Sequence, residues 1–157
     1  MSERYIVTLD HGHLRIFEER HPPGQLSPGL IQVEAMDFPA GRQSYTDRES
    51  DMAGRFPTSK NQSIGGSTGA RTGMSIDERL PMQREEARRR ARELANEVDR
   101  FFHQRPEAQW DFAAGPDLNN AVVELLSPGV RQRLRRSVAK SLVNQRVDEV
   151  RAHFAGL

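Results

Sequence analysis

Short apolar runs of strand length open the chain. Tyr5-Ile6-Val7-Thr8-Leu9 is apolar and partly β-branched, the composition that suits a half-buried pleated surface. Asp10-His11-Gly12-His13 follows as a turn signal. Leu14-Arg15-Ile16-Phe17-Glu18-Glu19 then resumes with Leu14, Ile16 and Glu18 on one face. Two such runs about a glycine-containing turn predict an antiparallel hairpin. His21-Pro22-Pro23-Gly24 breaks the chain, and Leu30 to Met36 predicts a third strand. From Asp37 to Leu80 the apolar pattern stops. This stretch holds Gly41-Arg42-Gln43, Ser50-Asp51-Met52-Ala53-Gly54-Arg55 and Ile64-Gly65-Gly66-Ser67-Thr68-Gly69. It reads as a flexible polar loop inserted into the domain, and loops of that length usually carry function or disorder.

Beyond the loop the period changes. Ala87, Ala91, Leu94, Val98 and Phe101 recur at steps of four, three, four and three. They form one apolar stripe on a helix from about Met82 to His103, with Glu85, Arg89, Arg92, Glu93 and Arg100 on the other side. Pro81 falls near its start, where proline is tolerated, and Pro106 ends it. Trp110 to Ala114 predicts a short buried strand. Gly115-Pro116-Asp117 leads into a helix with Leu118, Val122 and Leu125 inside. Ser127-Pro128 reads as an N-cap with proline at the first helical position. It opens a helix through Val130, Leu134 and Val138, with a strand expected somewhere within 138–143. Arg146 to Phe154 closes as a helix with Val147, Val150 and Phe154 aligned. The whole is an α/β pattern: three antiparallel strands, then alternating helices and strands, on a mixed sheet. A ribonuclease H-like topology has this order.

Composition narrows the class. The chain has 157 residues with 29% charged and 36% hydrophobic side chains, and a mean hydropathy of −0.73. That length suits one domain. No apolar run reaches membrane-span length, the first residues lack a signal-peptide pattern, and there is no cysteine. A cytoplasmic protein without disulfides, thiolate metal site, cofactor or membrane contact is the expectation. Net charge is +1, but residues 106–130 carry four acidic and no basic side chains, whereas 131–157 carry seven basic and two acidic. Lys60 and Lys140 apart, the basic residues are arginines, which suit bidentate phosphate contacts.

Candidate chemistry follows from these features. Arg131, Arg133, Arg135 and Arg136 form the least neutralised basic cluster, and a phosphate backbone is a natural partner; a solvated face is the plainer reading. Arg88-Arg89-Arg90 and Arg92 lie among Glu85, Glu86, Glu93 and Glu97, where pairing within the helix accounts for them. Asp10 ends the first strand, a place for a nuclease carboxylate with Glu34, Glu93, Asp111 or Asp117 around a divalent ion; otherwise it serves the hairpin turn. His11 and His13 are too few for a zinc centre. Gly65 to Gly69 lacks the lysine of a phosphate-binding loop.

Taken together, the strand pair, the loop with Ser50 to Arg55, the Arg/Glu-rich helix, Ser127-Pro128-Gly129-Val130 and the ending Val147-Asp148-Glu149-Val150-Arg151-Ala152-His153-Phe154 resemble the small bacterial host-attachment proteins. That family in turn resembles the middle domain of archaeal and eukaryotic peptide-chain release factors, which is ribonuclease H-like. The resemblance implies one such domain over 1–157, with 37–80 as its loop. It implies association with tRNA or ribosomal RNA, with Arg42 and Arg55 of the loop joining the C-terminal arginines. In release factors a Gly-Gly-Gln loop after the third strand helps water cleave peptidyl-tRNA. Gly41-Arg42-Gln43 stands in that place, so Gln43 is the candidate catalytic residue for peptidyl-tRNA hydrolysis. Arg42 departs from the pattern, since only glycine freely adopts positive φ. The family's name implies a third reading, a factor that engages a protein partner through the loop during attachment.

Overall fold

The computed structural model describes residues 2–39 and 76–155. Among these, five strands form one open sheet: β1 Arg4–Leu9, β2 His13–Arg20, β3 Gly29–Asp37, β4 Gln109–Ala114 and β5 Leu134–Val138. Their order is β3-β2-β1-β4-β5. β1, β2 and β3 are antiparallel neighbours, whereas β4 runs parallel to β1 and β5 parallel to β4. Parallel neighbours need crossover connections, and helices supply them. These are α1 Ile76–His103, α2 Pro116–Leu125, α3 Pro128–Gln132 and α4 Val147–Ala155.

The first face of the sheet carries the larger core. Val7, Leu9, Leu14, Ile16 and Phe112 meet Leu94, Val98 and Phe102 of α1 and Leu118 and Val122 of α2. Trp110 is fully buried here, stacked on Phe102 with ring centroids 5.0 Å apart. Its indole Nε1 donates to the Val130 carbonyl at 3.0 Å. Ile6, Phe17 and Ala113 point to the second face, where Leu142 and, from α4, Val150 and Phe154 cover them. Alternate side chains of β1 thus serve two layers, which is why apolar residues occupy both of its faces, with Thr8 buried among them.

Tyr5, at the start of β1, makes edge contacts with Phe101 and Phe102 at 5.4 and 5.8 Å. The carboxyl-terminal half of α1 therefore lies over the amino ends of the strands, and α1 runs antiparallel to β1. At 28 residues it is about 42 Å long. Among its described side chains, Leu80 to Arg90 include none that is buried, and the buried ones begin at Ala91. The 80–90 part of α1 thus projects past the carboxyl ends of β1 and β4.

Four expectations need correction. The long helix starts at Ile76 rather than near Met82, so Pro81 lies inside it. Ala87 is exposed, because no sheet lies beneath that part of α1. Leu125 is exposed and Leu126 buried in its stead, as the chain leaves α2 in an extended conformation at Leu126. The helix expected through Leu134 and Val138 ends at Gln132, and 134–138 is already β5. A spacing of four fits a strand as well as a helix. Pairing with β4 decides it, since β5 satisfies backbone groups that β4 would otherwise leave open. A register shift between Trp110 and Asp111 turns Leu134 to the first core and Val138 to the second.

Candidate functional site

The four C-terminal arginines do not form one surface. Arg131 and Arg135 are exposed. Arg133 instead turns inward: its Nη1 donates to the carbonyls of Arg105 and Ala108 at 2.5 and 3.2 Å, and its Nη2 to Phe102 at 3.2 Å. Its Nε donates to Gly129 at 3.0 Å. One guanidinium fork therefore ties the end of α1, the turn after it and α3 together, adding a second donor to the Phe102 and Arg105 carbonyls, which already accept the Arg105 and Ala108 N–H groups. Arg136 projects to the second face, donates to the Phe154 carbonyl, and has its Nε 3.9 Å from Asp111 Oδ1.

The helical arginines behave in the opposite way. Arg90 pairs with Glu93 and Arg100 with Glu97 at three-residue spacing. Arg84, Arg88 and Arg92 are exposed and make no ion pair among the described residues. They stand at i, i+4 and i+8, which places them in one row along the helix. Like charges at this spacing disfavour the helix by roughly 0.2–0.5 kcal/mol per pair, so the row is maintained at a local cost. It begins on the projecting part of α1, at the carboxyl end of the parallel strands. This is also the end where open α/β sheets bind their ligands.

The β1–β2 turn lies at that same end. Asp10 Oδ1 accepts the Gly12 N–H at 2.8 Å and lies 2.9 Å from His13 Nδ1. The Asp10 carboxylate thus closes its own turn, as the plainer of the two sequence readings had it. His11 Nε2 lies 2.5 Å from Asp117 Oδ2, which links the turn to the first turn of α2. Among the described residues, no group of three histidine, aspartate or glutamate side chains is placed to hold a metal ion. Asp111 sits on the opposite face from this turn, beneath α4. The carboxylates that a nuclease site would need therefore do not converge. Gln43, Arg42 and Arg55 lie outside the described residues.

Asp111 is the buried acid among the described residues. Burial pushes its carboxyl above the usual range, opposed by Arg136, Arg135 and Arg4. Its Oδ1 has no hydrogen-bond partner among the described residues, and neither has Thr8 Oγ1. The sequence marked Asp111 only as one of several available acids. Its register partners, Ile6 on one side and Arg136 on the other, became visible only with the sheet order.

The family described as "protein required for attachment to host cells" matches residues 5–154, from the second residue of β1 to the penultimate residue of α4. The chain belongs to this family. The match spans both cores and every described element, so the host-attachment resemblance seen in scattered motifs holds for the molecule as a whole. No curated protein matches this host-attachment-family chain. No described helix is long and apolar enough to cross a membrane.

Proposed function

We propose that this host-attachment-family protein is an RNA-associated binding protein, and that the Arg84–Arg88–Arg92 row of α1 is its principal contact surface. The single observation that carries this reading is the row itself: three exposed guanidinium groups, regularly spaced and without carboxylate partners among the described residues. Such groups neutralise phosphates and release counterions, so binding weakens with salt. Arg131 of α3 and Arg135 of the edge strand β5 add exposed charge. Arg133 and Arg136 act within the fold and are removed from the proposed contact set. The strand order, with three antiparallel strands followed by two parallel ones, supports a ribonuclease H-like, release-factor-middle-domain-like reading of the fold. The projecting α1, which begins within the 37–80 segment expected as a loop, supports it further. A cytoplasmic location goes with an RNA partner, and a role in attachment is then indirect.

The test is equilibrium binding of bulk tRNA across a salt series. The affinity should fall steeply as salt rises. An Arg84/Arg88/Arg92→Gln variant should bind more weakly and with a shallower salt slope, by up to roughly one unit for each phosphate no longer neutralised. An unchanged slope in that variant would remove α1 from the interface. Absence of binding at low salt would end the RNA reading.

A further inference from the structure

A cavity of about 270 Å³ opens on the second face of the sheet, between the strands and α4. Its construction follows from strand register. Arg4 and Glu19 are cross-strand partners, with Arg4 Nη1 3.4 Å from Glu19 Oε1. Ile6 neighbours Asp111, and Asp111 neighbours Arg136. Arg151 and Phe154 complete the cavity from α4, and Pro28 and Leu30 from the chain entering β3. The walls are thus apolar, the floor carries a buried carboxylate, and guanidinium groups stand around it.

Two observations point to a ligand. Asp111 is 4% exposed, and its Oδ1 lacks any hydrogen bond among the described residues. A buried polar atom without a partner is rare enough to need a cause. The second observation is charge. Glu19 is paired with Arg4 and Asp111 faces Arg136, whereas Arg151 makes no ion pair among the described residues. Among the described lining residues there are three arginines and two acids, and Arg151 is the arginine without an acid beside it.

We infer that this cavity binds a free acidic amino acid, with the ligand's ammonium group donating to Asp111 and its carboxylate groups held by Arg151 and Arg4. A glutamate-class ligand supplies a donor for the buried acid and a net charge of minus one for the unbalanced guanidinium. Its short aliphatic segment fits between Ile6, Leu30 and Phe154. A simple diacid offers Asp111 no donor, and a basic amino acid brings the wrong net charge. This site is separate from the helical arginine row and does not depend on RNA binding.

Calorimetric titration of the full chain with L-glutamate, glutarate (the same diacid without the ammonium group) and L-lysine tests it. Glutamate should bind saturably and at least roughly tenfold more tightly than glutarate, as a hydrogen bond to a charged group implies. Lysine should not bind. Arg151→Gln should weaken glutamate. Asp111→Asn should remove the preference for glutamate over glutarate, a change that a purely structural role would not produce. Equal affinity for glutamate and glutarate in the unaltered protein would overturn the assignment, as would no binding of either at millimolar concentration. Should Asp111→Asn fail to fold, the glutarate comparison and Arg151→Gln decide the matter.

Discussion

Two arginine-rich regions of this protein have opposite fates. In the sequence the C-terminal set is the under-neutralised one, and the helical set looks balanced by its glutamates. In the structure Arg133 is held by four backbone carbonyls and Arg136 reaches across to α4. The helical row of Arg84, Arg88 and Arg92 is exposed, with no ion-pair partner among the described residues. Local charge balance is therefore a poor guide to availability. What decides is whether a guanidinium lies over backbone carbonyls within reach, and that depends on which element ends beside it.

The contrast can be broken by mutation. Arg133→Ala should have the larger effect on stability, about 1–3 kcal/mol, because it removes hydrogen bonds from a charged group to four carbonyls that join the end of α1, the turn after it and α3. Arg88→Ala should change stability by less than about 0.5 kcal/mol, with chemical denaturation as the readout for both. Arg133→Lys should recover only part of the loss, since an ammonium cannot reproduce the guanidinium fork. If Arg88→Ala were as costly as Arg133→Ala, the assignment of one arginine to architecture and the other to contact would fail.

A pH comparison sharpens the account of the second face. Burial raises the folded-state pKa of Asp111 above its ordinary value of 3.8. The folded state then holds a proton that the unfolded state has released, so stability falls as pH rises through that window. Asp111→Asn removes this dependence. Its stability relative to the unaltered protein should improve between acidic and neutral pH; a constant difference across that range would contradict the buried-acid description.

A smaller effect is expected at alkaline pH. Tyr5 is pushed up to about 12 by burial and by its bond to Glu3 at 2.8 Å. Its burial stabilises the neutral phenol, and this contribution is lost as pH rises from 10 towards 12. Of the two tyrosines in the chain, one should ionise late by ultraviolet absorbance. Phe101→Leu should shift that titration little, and Glu3→Gln should lower it.

Much of the fold was legible in the sequence because its signals were local. The β1–β2 hairpin, the apolar stripe from Ala91 to Phe101 and the buried Trp110 strand each carry their own period. What escaped notice depended on non-local pairing. Leu134 and Val138 fit a helix until β4 is seen to need a neighbour. Met82 to Arg90 reads as more of one helix, and nothing in it says that the sheet stops below. The candidate sites were less legible for the same reason. Arg4, Asp111 and Arg151 are far apart in the chain and meet only through strand order, whereas the Arg84, Arg88 and Arg92 spacing was present and was obscured by nearby glutamates.

The most direct test of the central claim is co-sedimentation with bacterial ribosomes at low and high salt, comparing two charge-removal variants. Arg84/Arg88/Arg92→Gln should lose most of the salt-sensitive binding, and Arg131/Arg135→Gln should retain most of it. Binding that survives the first variant and fails in the second would contradict the account, and binding by neither the variants nor the unaltered protein would refute RNA association altogether.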